Sequence, residues 1–311
     1  MEQGATFTVC TPVYNDADRL DGLYRSLEAQ TFRDFEWIIV DDGSNEESGV
    51  PADRYAASAS FSVRVIRKKK HRGTHTAVNR AVDEAHGTFF LVLRTDEELF
   101  PHTLRSLLSH WHSIPIDERP YFASVAGLTQ NSDGSIRGDR FPSSPFDSTR
   151  FEAGGRYGIS GRKWGFLRTG VFRKNPYPEL AGERYCPEGL VLNRIGLRYL
   201  TRYVNEAMVT VHPSAESELR SQSADLPFPS AETALRGPGG SALYFLEQLS
   251  LPIPLARKIR ASLAYVRYSL HAGKLPDDLF AEAPKKLLVF FSLPPGYFLY
   301  KRDLARGKKA T

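Results

Sequence analysis

The sequence predicts an α/β protein with a mostly parallel central sheet and a basic helical appendage at its C-terminus. Three observations carry this. Predominantly apolar runs at residues 7–11, 35–40 and 89–93, the last of them unbroken, read as strands covered on both faces, because a strand with one solvated face would alternate polar and apolar side chains. Between these runs the apolar spacing switches to that of helices. The charge is also uneven. Residues 251–311 carry twelve Lys/Arg against four Asp/Glu, a net of +8, so the other 250 residues sum to −3 although the whole chain is +5.

Residues 7–11 form a strand that stops at Pro12, and Asp16 or Asp18 can cap the helix that follows. In that helix Leu20, Leu23, Tyr24 and Leu27 recur at i, i+3, i+4 and i+7 and make one apolar face. Residues 35–40, aromatic and β-branched, form a second strand ending in the turn signal Asp41-Asp42-Gly43-Ser44. A third strand is expected at 61–66. Residues 74–86 are helical, with Ala77, Val78, Ala81, Val82 and Ala85 on one face and Gly87 suited to the C-terminal cap. Residues 89–93 are the fourth strand, and the connections should be right-handed crossovers.

Beyond residue 115 the periodicity weakens. A strand pair is expected across 121–142, turning at Asn131-Ser132-Asp133-Gly134, and a loop or lid across 142–162, rich in Gly, Ser and Pro. A helix and then a strand, 200–211, follow within 188–212. The organisation expected is a main domain at 1–215, a linker at 216–241 and a basic helical tail at 242–311. Two cysteines without ligand spacing suggest no disulfide framework and fit a reducing compartment. No leader and no transmembrane run is expected, which places the protein in the cytoplasm.

In open parallel sheets, ligands sit outside the carboxyl ends of the strands. Four such ends are polar: Pro12-Val13-Tyr14-Asn15, Asp41-Asp42-Gly43-Ser44, the basic run Lys68 to Gly73, and Arg94-Thr95-Asp96-Glu97-Glu98. Thr11-Pro12-Val13-Tyr14-Asn15, Ser26-Leu27-Glu28-Ala29-Gln30-Thr31-Phe32, Val40-Asp41-Asp42-Gly43-Ser44, Gly73-Thr74-His75-Thr76-Ala77-Val78-Asn79 and the strand leading to Asp96 together resemble the opening of family 2 glycosyltransferases. Those are inverting enzymes with a GT-A fold. The resemblance covers roughly the first 110 residues strongly and fades over the next 100.

The resemblance implies roles. Asp42 would accept a hydrogen bond from a nucleobase, typically uracil, with Asp41 fixing the turn. Pro12, Tyr14 and Asn15 would shape the base and ribose pocket, and Asn79 would orient the donor loop. The family's Asp-X-Asp motif binds a divalent cation, Mg²⁺ or Mn²⁺, across the donor's diphosphate. Here the triplet is Arg94-Thr95-Asp96. Asp96 would hold the metal with Glu97 close by, and Arg94 would contact phosphate or ribose. Two other readings stay open: Arg94 replaces the cation in part, or turnover of the donor is lost. Thr74 stands where the family often has Lys, so Lys69, Lys70 or Arg72 would supply phosphate charge.

The segment from Gly182 to Arg194 resembles the one that carries the family's general base. Glu188 is the expected base, with Glu183 in reserve; Pro187-Glu188 is equally an ordinary helix start. His212 is either structural or a contact to metal or phosphate. Lys163-Trp164-Gly165-Phe166 stacks on an acceptor sugar or belongs to the core.

The expected function is inverting transfer of a sugar from a nucleoside-diphosphate donor, UDP-linked, to a hydroxyl of a glycan or lipid-linked acceptor. The alternative is a catalytically degenerate nucleotide- or glycan-binding module. No nucleic-acid motif accompanies Lys68-Lys69-Lys70, so nucleic acid is not an expected partner. In the tail, Ile259, Leu263, Val266 and Leu270 form an apolar stripe. Residues 287–300 are apolar, bracketed by Lys285-Lys286 and Lys301-Arg302 and interrupted by Pro294-Pro295-Gly296. The tail either lies on an anionic membrane surface, the inner face, or packs as a helix pair with its lysines solvated.

Overall fold

Strand β1 (Phe7–Val13) is flanked by two parallel neighbours, β2 (Phe35–Asp41) and β4 (Phe89–Val92), and β3 (Ser62–Arg67) extends the sheet beyond β2. The computed structural model of the chain describes residues 5–16, 19–45, 52–212 and 235–307. The β1–β4 ladder ends at Cys10 paired with Val92. Val13 O accepts from Asp42 N on the β2 side, so position 12 faces the β4 side, just past the end of that ladder. A proline, which has no N–H to give, fits there without orphaning a bond.

Helices cross over between the strands. In α1 (Leu20–Glu28), Leu20, Leu23 and Leu27 are buried with Phe7 and Val9 of β1, Trp37 and Ile39 of β2, and Leu91 of β4. The intervening β1 side chains, Thr8 and Cys10, point to the other face. Helix α3 (Thr74–Glu84) packs on β1 and β2 through Ala77, Val78, Ala81 and Val82, and its small side chains let it lie close. Helix α2 (Ala52–Ser58) precedes β3.

The second half of the sheet is mixed. Strand β5 (Glu97–Leu99) and helix α4 (Thr103–His112) lead into β6 (Phe122–Asn131). Then come β7 (Phe146–Ser148), α5 (Arg150–Gly155), β8 (Lys163–Arg168), α6 (Thr169–Arg173), α7 (Glu188–Gly196) and β9 (Leu200–Val211). Among the described residues the sheet has nine strands, ordered β3-β2-β1-β4-β8-β6-β9-β5, with β7 paired to β9. Strand β8 runs antiparallel to β4 and β6, while β6 and β9 are parallel.

Two expectations are corrected here. The strand pair across 121–142 is one long strand, β6, followed by a turn and a single bridge, Gln130 to Ile136. Both edges of β6 are taken, by β8 from Ser124 to Leu128 and by β9 along its length. A returning partner therefore finds a free edge only past Leu128. The expected loop at 142–162 contains β7 and α5, and Thr149 Oγ1 caps α5 by accepting from Glu152 N at 3.1 Å.

The chain divides into two compact units. One comprises the described residues within Met1–Tyr177 and Val191–Phe228, the other those within Pro178–Leu190 and Pro229–Thr311. The expected linker lies outside the described residues up to 234, and the first C-terminal helix, α8 (Pro238–Gln248), starts inside its expected span. It is followed by α9 (Leu255–His271), α10 (Pro276–Glu282) and α11 (Lys286–Gly307).

Helices α9 and α11 lie side by side. Ser262 and Ser292 share a hydrogen bond of 2.6 Å, and Asp303 accepts twice from Arg267 at 2.6 Å and once from His271 at 3.1 Å. Those contacts hold α11 continuous through Pro294 and Pro295, where the sequence predicts a break. Gly296 has no side chain because one would meet Val266 Cγ1 at 2.6 Å.

Candidate functional site

The polar ends of β1, β2, β3 and β4 are stitched together at one edge of the sheet. Asn15, at φ 51°, donates its N–H to Ser44 Oγ at 3.0 Å and accepts from Asn45 N at 3.0 Å. An asparagine tolerates that left-handed backbone better than most residues. On the other side Thr95 Oγ1 donates to Asp16 Oδ2. The loop after β1 thus bridges the loops after β2 and β4. Asp42 and Asp96 lie on the two loops that the β1 loop joins, through Asn15 to Ser44 and Asn45 and through Asp16 to Thr95.

Asp41 and Asp42 differ in task. Asp41 Oδ1 accepts Ser44 N at 2.9 Å and closes the turn. The Asp42 carboxylate is buried and surrounded by donors. Its Oδ1 accepts from Lys68 Nζ, and its Oδ2 meets His71 Nδ1 at 2.8 Å, Arg72 N at 3.1 Å and Gly73 N at 2.6 Å. Lys68 also donates to Thr76 Oγ1. Gly43 and Gly73, at φ 81° and 95°, permit this close loop, and a Cβ on Gly43 would lie 2.6 Å from the Lys70 carbonyl carbon. Tyr14 stacks on the His71 ring with centroids 3.7 Å apart and planes 14° from parallel.

At the start of β5, Glu97 is fully buried and ion-paired with Arg162, and its other oxygen accepts Arg94 N at 3.0 Å. Glu97 is therefore not available as the second metal carboxylate expected from its nearness to Asp96. Asp96 itself is buried, takes His212 N on its backbone oxygen at 2.8 Å, and its carboxylate makes no hydrogen bond or ion pair with another described residue. His212 Nε2 lies 3.2 Å from Glu98 Oε2 yet makes no directed hydrogen bond. No group of three or more metal-binding side chains occurs among the described residues. An unengaged carboxylate and an underused imidazole nitrogen fit a hard divalent cation whose remaining ligands are phosphate and water oxygens.

Other residues fall elsewhere. Asn79 donates to Tyr177 O and accepts from Tyr177 N, both at 2.9 Å. Its carboxamide clamps the segment after α6, a different task from the nucleotide contact expected. Trp164 and Phe166 are core residues, with Trp164 Nε1 donating to Val92 O at 3.0 Å, so neither is free to stack on a sugar. Arg168 lies at the opposite end of β8, on the carbonyl of Phe122. Within the second unit, Glu183 accepts Gly239 N at 2.6 Å and Gly240 N at 2.8 Å, satisfying the first turn of α8. That engagement removes it as a reserve base. Glu188 is exposed at the start of α7.

The basic run Lys68 to Gly73 is a polar strand end in the sequence, but no separate role for Lys68 or His71 follows from it, and Arg162 carries no sequence signal at all. Histidine and lysine in a basic run look like solvated surface, and nothing adjacent to Arg162 in sequence signals Glu97.

A parallel sheet ending in acidic and basic loops, extended by a mixed half, is the GT-A fold of nucleotide-sugar transferases. Over 97% of its length the chain superposes on 92% of Staphylococcus aureus TarS 1-349 in complex with UDP-GlcNAc, with TM-score 0.54 and 19% identity. It likewise covers 88% of the mannosyltransferase PcManGT from Pyrobaculum calidifontis in complex with GDP-Man and Mn²⁺, with TM-score 0.50 and 14% identity over 97% of this chain. Residues 8–152 match the model of glycosyl transferase family 2. It is 34% identical over 94 residues to a PGL/p-HBAD biosynthesis glycosyltransferase of Mycobacterium tuberculosis, a match that covers 30% of this chain and only 36% of the relative.

Proposed function

We propose that the protein transfers a sugar from a nucleoside-diphosphate donor, UDP-linked, to a hydroxyl of a glycan or lipid-linked acceptor with inversion at the anomeric carbon. The observation that carries this is the pair of buried carboxylates, Asp42 and Asp96, on loops that the β1 loop joins through Asn15 and Asp16. Loops gathered at the strand ends suit a nucleoside diphosphate lying across them. TarS, crystallised with UDP-GlcNAc, supports the uridine donor.

In this reading Tyr14 offers a ring face to the base and Asp42 a charged acceptor to its ring N–H. Pro12 and Asn15 shape the loop beside them, and Asp41 holds the turn. Asp96 and His212 would hold Mg²⁺ or Mn²⁺, which when bound offsets charge on the departing diphosphate. Arg94 adds a cation beside Asp96. Glu188 takes the acceptor hydroxyl proton as the oxygen bonds to the anomeric carbon and the bond to the diphosphate breaks.

Calorimetry with UDP and Mn²⁺ tests the site. Asp42→Ala and Asp96→Ala should each abolish binding, and Glu188→Gln should bind UDP normally while losing sugar transfer. Undiminished UDP affinity in both alanine variants would reject the assignment.

We propose in addition that the second unit rests on an anionic lipid surface. Helix α11 buries Val289, Ser292 and Gly296 on one side and exposes Leu287 (75%), Phe290 (58%), Phe291 (73%) and Phe298 (66%) on the opposite side. A helix apolar on both sides needs a second apolar neighbour. Lys285, Lys286, Lys301 and Arg302 bracket that stripe, and a rim of cations around apolar rings suits anionic headgroups over acyl chains. No described helix is long and apolar enough to cross a membrane. Flotation with phosphatidylglycerol vesicles should be lost in a Phe290→Ser/Phe291→Ser/Phe298→Ser variant; equal flotation of variant and parent refutes the surface.

A further inference from the structure

One oxygen of Asp42 is full before any ligand arrives. A carboxylate oxygen offers about two lone-pair sites, and of the four donors at Asp42 three point at Oδ2, namely His71 Nδ1, Arg72 N and Gly73 N, while Lys68 Nζ holds Oδ1. Because the acceptor is an ionised oxygen shared with two main-chain N–H groups, His71 Nδ1 must carry its proton toward it. Two of the four donors are backbone and cannot leave without unfolding the loop that caps α3. Lys68 is anchored a second time, on Thr76. His71 alone of the four is a side chain whose second contact is a ring face, that of Tyr14.

The His71 ring therefore shows what Tyr14 and Asp42 select: a flat heterocycle, stacked on the phenol, with an in-plane ring N–H aimed at the carboxylate. We infer that His71 is a built-in stand-in for the nucleobase and must swing off Tyr14 and Asp42 before the donor can bind. This rests on the nucleotide-sugar reading of the site. It also narrows the base. Uracil, thymine and guanine present a ring N–H as the imidazole does. Cytosine and adenine present an unprotonated ring nitrogen there, which would set a lone pair against the Asp42 charge. His71 then sets donor affinity by competition, and the bare protein holds its base slot closed against solvent.

The test is calorimetric titration of the full chain with UDP, GDP and CDP in Mn²⁺, for the parent, His71→Ala and His71→Phe. His71→Ala should bind UDP about 3- to 10-fold more tightly, the relief from losing one competing hydrogen bond and stack. His71→Phe keeps the stack without the hydrogen bond and should fall between. In protein with ¹⁵N-labelled histidine, UDP should move the His71 ring signals toward those of a solvated imidazole.

Weaker or unchanged UDP binding in His71→Ala, with His71 signals unmoved by UDP, overturns the displacement while leaving the transferase reading intact. CDP binding equal to UDP overturns the base restriction. If neither protein binds any nucleotide, the transferase reading itself fails and takes this inference with it.

Discussion

Replacing Arg162 by Leu should destabilise the first unit and disable the Asp96 end of the site together. Glu97 is fully buried and ion-paired with Arg162, whose guanidinium is largely sheltered from water. Removing one member of a buried pair typically costs about 3–5 kcal/mol, because the survivor keeps its charge without its partner. Arg162 retains some solvent contact, and Glu97 keeps the Arg94 N–H, so the lower end, about 3 kcal/mol, is expected. Against a total stability of about 5–15 kcal/mol that is a large fraction.

Urea denaturation monitored at the tryptophans is the assay, since Trp37, Trp111 and Trp164 all lie in the first unit's core. The double variant Glu97→Gln/Arg162→Leu should recover a good part of the loss, because no charge is then left buried. The loop consequence is separate. Arg94 N–H is held by the same carboxylate, so metal-dependent UDP binding should fall in Arg162→Leu even where the protein is fully folded. A loss under about 1 kcal/mol, the range of an exposed pair, would refute the claim that this pair braces the end of β4.

Burial alone would raise the Glu36 carboxyl, but hydrogen bonds from Thr8, the His86 backbone and Arg64 outweigh it and hold the pKa below the usual carboxylate range. A depressed folded pKa gives stability that is fully present above the unfolded value, near 4.5, and lost as pH falls through the folded one. Acid melts should therefore show a steep decline below that value, and Glu36→Gln should be less stable at neutral pH with a flatter acid limb. Gly43→Ala places a Cβ 2.6 Å from the Lys70 carbonyl carbon at φ 81°. A loss of about 1–3 kcal/mol is expected, read as a lower thermal midpoint. The Cys10 thiol, pushed up by full burial, should react with a thiol reagent only after denaturation.

The parallel half of the fold was legible because its signals are local. The apolar runs, the crossing helices and the turn at Asp41-Asp42-Gly43-Ser44 can each be read within a dozen residues. The mixed half was not, since its strands are defined by partners far away. Strand β6 takes its neighbours from β8 and β9, and no pattern near Asn131 says that a return strand will find those edges occupied. The same distinction separates site residues. Asp42 and Asp96 stand at strand ends and could be named. Asn79, Glu97 and Glu183 looked equally suitable, but Tyr177, Arg162 and the start of α8 had already engaged them. Sequence shows which side chains can do chemistry, while only tertiary structure shows which are already satisfied.

That distinction orders the site itself. Glu97, Asp41 and Asn79 are each engaged by fixed partners, so a ligand that takes those atoms would cost a hydrogen bond. Among the described residues the Asp96 carboxylate has no such partner, and Asp42 has one that can move. A ligand meeting both would therefore gain a full interaction at the Asp96 end and only a net difference at Asp42, where His71 must first be displaced. Affinity should accordingly reside in the diphosphate and metal, and discrimination between bases in the exchange at Asp42. A nucleoside lacking the diphosphate should then bind weakly in the parent and gain more than UDP does, in fold terms, from His71→Ala only if displacement is incomplete in its complex. Equal gains for uridine and UDP would instead mean that both empty the slot fully, as the exchange requires.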